Sequence, residues 1–314
     1  MLSDEVRARL AQLHAVGQAT HGEQRAPVMA TGQWPPLAGM APRVSDKALD
    51  DDLLDDGIEC HNPSGSHLRF RRPLTDYWPA VESALVGVNR SPVAHSHPEL
   101  AALAGAFPRD TLFLDLETCG FAGSMVFLAG VVWHDETLMV DQLFARNYAE
   151  ERALLETLWQ IAGRNRVLVT FNGKSFDWPM VHDRSTRHHL GRDARKPGQP
   201  PPHVDLQPRE ALARYDSRPE LVHCDLLHHA RRRWKRLLPN CRLQTLEWYV
   251  CRRARHDDLP GAMVPAAYHE FVRTGVTHQL GSILRHNALD LVTLAHLACQ
   301  LLVDAEAAPV ARRA

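Results

Sequence analysis

The 314-residue chain lacks the features that mark several large classes of protein. It has no apolar run long enough to span a membrane, and residues 1–18 mix charged with apolar side chains, unlike the apolar core of a secretion signal. Its six cysteines form no C-x-x-C pair and no spacing typical of zinc ligands. These absences exclude a disulfide scaffold, and we expect a cytoplasmic protein with reduced thiols and no membrane partner.

The chain also has few lysines and almost no net charge. The chain has 36 Lys and Arg against 37 Asp and Glu, for a formal net charge of −1, so binding of nucleic acid would depend on local patches. Nearly all of the basic residues are arginine, whose planar guanidinium suits phosphate. A general bias in composition would also explain the preference for arginine over lysine. Phosphate binding and compositional bias both stay open as interpretations.

Changes in pattern divide the chain into three parts. Residues 1–56 are rich in proline, glycine and acids after a short amphipathic stretch, and predict a poorly ordered extension. Residues 57–109 predict a small segment with a strand ribbon and a helix, and residues 110–305 predict the main domain. A proline-rich insertion at 191–220 interrupts that domain.

Within the first two parts, periodicity predicts a helix at 3–16, a two-stranded ribbon at 57–73 and a helix at 98–106. His95 and His97 have a spacing that metal ligands use, but the sequence offers no further ligand beside them. We therefore assign no chemistry to any residue before 110.

The main domain shows a regular order of strands and helices. The predicted elements are strands at 111–118, 125–133 and 138–144, a helix at 149–162, a strand at 166–171, a helix at 176–190, a strand at 221–224, helices at 225–236, 243–252 and 264–274, and a last helix from 279 or 282 to 303. Short connections make the first three strands antiparallel neighbours. The fold class is therefore α/β, a mixed sheet of three antiparallel strands plus two parallel strands, flanked by helices. The apolar last helix should pack across the strands that carry the acids.

The first of these strands carries two acids on one face. Asp115 and Glu117 lie two positions apart, so both side chains point the same way, while Leu114 and Leu116 point to the opposite face. Two like charges side by side repel unless a positive charge lies between them, and a hard divalent cation is the simplest one. The alternative interpretation is a strand end with two solvated acids.

Two further carboxylates stand on apolar elements. Asp177 follows the end of the predicted strand at 166–171, where sheets of parallel type place ligands. His286 and Asp290 lie four residues apart and therefore on one face of the last helix. An aspartate in an apolar helix is costly to bury unless it is paired or coordinated.

These motifs in this order resemble the DEDD exonuclease superfamily, and more closely the YprB-type exonuclease family. The residues that carry the resemblance are the runs at 113–118, 127–130, 170–179, 225–228, 258–261 and 286–287, with Asp290. The match spans residues 110 to 303. It implies a ribonuclease-H-like fold and hydrolysis of phosphodiester bonds from a 3′ end by two Mg²⁺ or Mn²⁺ ions roughly 4 Å apart.

The resemblance also implies a role for each acid. Asp115 would bridge both ions, Glu117 and Asp290 would complete the tighter site, and Asp177 would hold the second ion. His286 would take the proton from the attacking water. The superfamily usually separates this histidine from its aspartate by five residues, whereas this chain separates them by four. The alternative is that His286 only caps or packs against the helix.

Other residues are candidates for contact with nucleic acid through stacking or phosphate binding. They are Thr118, Phe121, Asn172, Lys174, Phe176, Trp178, Arg231, Arg232 and Lys235. Core packing is an open alternative for Phe176, a simple loop position for Lys174, and a solvated helix face for the basic cluster. We expect Asp225 to cap the helix that follows it rather than to bind metal.

The sequence therefore predicts a metal-dependent 3′→5′ exonuclease that acts on single-stranded DNA ends in DNA repair. The resemblance implies cooperation with a helicase. RNA as the substrate stays open, because nothing in the sequence reads a 2′-hydroxyl. A catalytically silent nucleic-acid-binding module of the same fold is the alternative from another class.

Overall fold

The computed structural model describes residues 56–90, 95, 97–120, 123–190, 220–255 and 258–303. The helix predicted at 3–16, most of the N-terminal extension, Phe121 and nearly all of the proline-rich segment at 191–220 lie outside the described residues.

In the described part of the chain, seven strands form a mixed sheet. They are β1 (Ile58–Asn62), β2 (Gly65–Pro73), β3 (Thr111–Thr118), β4 (Val126–Asp135), β5 (Thr137–Phe144), β6 (Val167–Thr170) and β7 (Val222–Asp225). Their order in the sheet is β1-β2-β5-β4-β3-β6-β7, with β3–β6 and β6–β7 parallel and the other pairs antiparallel. The predicted mixed sheet is confirmed. The predicted ribbon, β1 and β2, is also confirmed, and it extends the sheet because β2 pairs with β5.

Helices cover the sheet. They are α1 (Leu74–Tyr77), α2 (Val81–Arg90), α3 (Pro98–Ala106), α4 (Glu151–Ala162), α5 (Asp177–Arg187), α6 (Leu226–Trp234), α7 (Leu243–Tyr249), α8 (Val264–Thr274) and α9 (Leu280–Val303), with a 3-10 turn at Gly261–Met263 before α8. The predicted bounds of α3 and α8 match the structure. Helices α5, α6 and α7 end two or three residues earlier than predicted. None of the helices in the described part of the chain is long and apolar enough to cross a membrane.

The sheet has an apolar core on each face. Leu112, Leu114 and Leu116 of β3 pack into one core, together with α4. Phe113 packs into the other, which contains most of the apolar side chains of α9. Because side chains alternate along a strand, Asp115 and Glu117 share the face of Phe113. Helix α9 packs across β3 and β4 as predicted, and this brings its polar residues toward the acids of β3.

Candidate functional site

Asp115 lies in a row of three residues that are side by side on neighbouring strands. Asp115 of β3 pairs with Gly130 of β4, which pairs with Gln142 of β5, so the three share one face of the sheet. Asn287 of α9 lies over this row. Its Nδ2 donates to Asp115 Oδ2 (2.8 Å), and its Oδ1 accepts from Gln142 Nε2 (2.9 Å). This chain of hydrogen bonds fixes one oxygen of the Asp115 carboxylate.

Gly130 is required for that arrangement. A Cβ atom at Gly130 would lie 1.9 Å from Oδ1 of Asn287, far inside any real contact. The Asn287 amide therefore occupies the space that a side chain at position 130 would fill. Sequence reasoning missed Gln142 and the role of Asn287, although a glutamine that follows an aspartate in a strand of apolar residues was a usable signal.

Asp177 reaches the same region from the other side of β3. It is buried in the first turn of α5, where the partial positive charge of a helix N-terminus favours a carboxylate. Backbone N–H groups of Asp177 itself and of Leu116 hydrogen-bond its carboxylate, which places it beside β3.

The loop before Asp177 has a demanding backbone. Asn172 has a φ of 65°, and a Cβ at Gly173 would lie 2.5 Å from Oγ1 of Thr170, so the Asn-Gly sequence suits this turn. Asp225 accepts hydrogen bonds from the backbone N of Asn172 (2.8 Å) and of Leu227 (3.1 Å). The prediction that Asp225 caps a helix is confirmed.

The acids share an electrostatic environment. Burial raises the pKa of Asp115 well above its usual value, and the charges of Asp290, Glu117 and Asp177 raise it further. Burial raises the pKa of Glu117 to about 8, against a lowering effect of His286. It raises the pKa of Asp177 to about 7. These groups lie close enough to oppose one another's ionisation, as acids do around an uncompensated cation site.

Asp290 differs from the other acids because it already has a cationic partner. Arg255, almost fully buried, pairs through Nη2 with Asp290 Oδ1. The same guanidinium binds Asp258 through Nη1 (3.0 Å) and Glu247 through Nε (2.5 Å). Arg255 therefore fixes the Asp290 carboxylate. Sequence reasoning missed both Arg255 and Glu247, because nothing local in the sequence marks them as neighbours of α9.

His286 has a partner on each side. Its Nδ1 lies 3.0 Å from the Asp258 carboxylate, and its Nε2 lies 3.7 Å from Asp290 Oδ2. Burial alone would lower the pKa of His286, but the hydrogen bond to Asp258 and the charges of Asp290 and Glu117 raise it. With Nδ1–H donating to Asp258, Nε2 is the nitrogen that can accept a proton. This contact supports more than a packing role for His286.

The candidate nucleic-acid residues of the two acid motifs have varied surroundings. Thr118 is buried, and its hydroxyl donates to the carbonyl of Gly120 (3.1 Å). Lys174 Nζ pairs with Glu99 Oε1 at 2.7 Å. Trp178 packs against other rings, 5.1 Å from Trp159 between centroids, so its ring has structural contacts.

Several candidates are exposed at the surface, Asn172 and Lys174 among them. Phe176, directly before Asp177, is 37% exposed, so burial in the core does not explain it. The basic cluster (Arg231, Arg232 and Lys235) is exposed on α6 and just after it. Contacts of these residues with nucleic acid stay predictions.

The chemistry of the acid site suits divalent cations of the Mg²⁺ or Mn²⁺ type. Asp115, Glu117, Asp177 and Asp290 offer only oxygen donors, and Arg255 already compensates the charge of Asp290. Their ligand atoms do not all lie within 4.8 Å of one another. In the part of the chain that the structure describes, the group whose ligand atoms all lie within 4.8 Å of one another is instead His97, Glu99 and His229.

Comparison with known proteins agrees with this fold. Residues 112–302 match the family described as RNase_H superfamily. The chain is also 30% identical over 221 residues to "Uncharacterized protein YprB" of Bacillus subtilis (strain 168), an alignment that covers 69% of this chain and 47% of that protein. The chain thus spans about half the length of the curated relative that it matches. The chain belongs to the RNase_H superfamily and is an RNase H-like protein of the YprB type.

Proposed function

We propose that this protein is a metal-dependent 3′→5′ exonuclease whose preferred substrate is single-stranded DNA. The observation that carries the proposal is the placement of four acids beside β3: Asp115 and Glu117 on the strand itself, Asp177 at the start of α5 and Asp290 on α9, with Asp177 buried and the others half-buried. Acids that a fold holds together in this way destabilise it unless their charge serves a purpose. Binding of divalent cations during phosphodiester hydrolysis supplies that purpose.

The four acids would hold the metal ions. By resemblance, Asp115 would be the central ligand, and Glu117, Asp290 and Asp177 would hold the ions together with it. Bound there, two divalent ions supply charge stabilisation for both the attacking and the leaving oxygen. Asn287 and Arg255 each hold one oxygen of a neighbouring acid, which leaves the second oxygen of Asp290 directed toward His286.

The protein's own residues provide the proton transfer. His286 Nε2 accepts the proton of the attacking water, and Asp258 at Nδ1 keeps the imidazole in the tautomer that leaves Nε2 free. Asp258 also stabilises the imidazolium that results, as a carboxylate does beside a catalytic histidine. Asp258 is thus a positioning residue that acts through His286.

The substrate end would meet exposed groups beside the acids. The ring of Phe176 offers a stacking surface next to Asp177. The basic cluster on α6 offers positive charge to a phosphate backbone. Because the net charge of the chain is −1, such positive charge must come from a local cluster. A role in DNA repair with a helicase partner is part of the same proposal, and its support is the resemblance to the YprB-type family.

Strand polarity is the test. The purified protein is incubated with Mn²⁺ and a single-stranded oligonucleotide labelled at its 5′ end, or the same strand labelled at its 3′ end. We expect a ladder of shortening products from the 5′ label and immediate release of a labelled mononucleotide from the 3′ label. Asp177→Asn should abolish both. Asp183→Asn, an exposed acid in the same helix, is the matched control and should leave them unchanged.

Four other results of this assay would contradict the proposed polarity, activity or substrate. Immediate mononucleotide release from the 5′ label would refute the polarity, and cleavage of a circular single strand would indicate an endonuclease. Retarded migration of both strands without shortening would identify a silent binding module. A matched RNA strand that is degraded faster than DNA would replace DNA as the substrate.

A further inference from the structure

Three ligand-type side chains meet at a point that is not part of the acid site. His97 precedes α3, Glu99 lies in its first turn, and His229 lies in α6, 130 positions from Glu99. Their ligand atoms all lie within 4.8 Å of one another. The imidazole of His229 is 1% exposed, and the rings of His97 and His229 meet edge to face with centroids 4.7 Å apart.

The contacts within this trio leave room for an ion. His229 Nε2 lies 3.1 Å from Glu99 Oε2, close to the separation of about 3.4 Å between two ligands of a tetrahedral Zn²⁺ with bonds near 2.05 Å. The other carboxylate oxygen, Oε1, accepts from Lys174 Nζ at 2.7 Å. Metal ligands often have such an outer hydrogen bond, which fixes their orientation.

His97 also makes a contact that binding of an ion would replace. His97 Nδ1 accepts from the backbone N of Glu99 at 3.3 Å, a long hydrogen bond that costs little to give up.

We propose that His97, Glu99 and His229 form a second metal site, of the Zn²⁺ class, separate from the acids of β3. Two imidazoles and one carboxylate are a ligand set that zinc proteins use, with a water at the fourth position. Mg²⁺ prefers all-oxygen sites and is a poor match for two nitrogens. This proposal does not depend on the proposed nuclease activity.

The position of this site gives it a structural consequence. An ion there links α3, which precedes the main domain, to α6, which Asp225 caps. The ion pair of Lys174 with Glu99 connects the same point to the loop that leads to Asp177, and the Asp225 carboxylate accepts hydrogen bonds from the backbone N of Asn172 and Lys174 in that loop. Zn²⁺ should therefore stabilise the folded protein by mass action, because the unfolded chain lacks the preformed trio.

The test is metal binding by the full chain after treatment with a chelator. Zn²⁺ is titrated by calorimetry, and Co²⁺ by its visible absorption, both in excess Mg²⁺ so that the acids are occupied. We expect one equivalent of tight binding and a rise in melting temperature. His97→Asn keeps an acceptor at the helix cap and should weaken binding at least about tenfold. Glu99→Gln preserves the shape of the side chain and should weaken it likewise.

The controls separate this site from the other histidines and from the acids. His95→Asn removes a neighbouring histidine that is not in the trio, and Asp115→Asn removes the central acid of the proposed nuclease site. Both should bind Zn²⁺ with unchanged affinity. Binding that survives in both His97→Asn and Glu99→Gln, or no binding by the unmodified chain, would overturn the proposal whatever the nuclease assays show.

Discussion

The substitution Gly130→Ala tests how the sheet positions Asp115. The new Cβ would lie 1.9 Å from Asn287 Oδ1, and real Cβ contacts essentially never fall below 3.0 Å, so Asn287 must move by more than 1 Å. That movement breaks its hydrogen bonds to Asp115 and Gln142. Overpacking costs about 1–3 kcal/mol, and a hydrogen bond to a charged group contributes about 1.5–3 kcal/mol. We expect a loss of about 3–5 kcal/mol in the free energy of unfolding, together with loss of nuclease activity.

Urea denaturation followed by tryptophan fluorescence measures this effect. Gly281→Ala, in the same helix as Asn287 and with no atom within 4 Å of the new Cβ, is the matched control and should be neutral or slightly stabilising. Asn287→Ala removes the atoms nearest the new Cβ. The double variant should therefore be at least about 1 kcal/mol more stable than the sum of the single effects predicts. Strict additivity, or a Gly130→Ala loss below about 0.5 kcal/mol, would refute the reasoning.

Three further substitutions test separate parts of the site. The pKa of Glu117 is raised to about 8, so the folded protein keeps a proton that the unfolded chain releases near pH 4.5. In EDTA the free energy of unfolding should therefore fall as the pH rises from 4.5 to 8, and Glu117→Gln should reduce this fall. The control Glu82→Gln, at an exposed acid, should leave the fall unchanged. Asp258→Asn removes the contact that raises the pKa of His286, so it should lower kcat at least about tenfold and shift the acidic limb of the pH–rate profile to lower pH. An acidic limb at the same pH in the variant would mean that Asp258 has only a structural role. Phe176→Leu keeps an apolar side chain but removes the ring, and should raise KM for single strands about fivefold or more with kcat little changed; an unchanged KM would contradict stacking.

Much of the fold could be predicted because its signals are local. The alternation of leucines and acids in 111–118 placed β3, and the periodic apolar residues placed α9. The capping role of Asp225 follows from its position between a strand and a helix. Helix ends were less accurate, since α7 ends at Tyr249 without a glycine or proline to mark it. The pairing of β2 with β5 depends on contacts between residues about 72 positions apart, which no local pattern encodes.

The candidate site shows the same division. The sequence predicts Asp115, Glu117 and Asp177 as site residues because each stands out against an apolar element. Arg255 was missed because its partners come from α7, α9 and its own loop, and only the folded chain brings them together. His97 was considered as a ligand and set aside, because its partner His229 follows more than a hundred residues later. Ligand sets that assemble across the fold are invisible to spacing rules.

The most direct measurement of the central claim compares the unmodified protein with Asp115→Asn for Mn²⁺-dependent release of nucleotides from the 3′ end of a single strand. The substitution preserves shape and removes the charge around which the other acids are arranged. We predict a rate at least about a hundredfold lower, with an unchanged circular dichroism spectrum. Release by the folded variant within a few-fold of the unmodified rate would contradict a metal-dependent nuclease centred on Asp115.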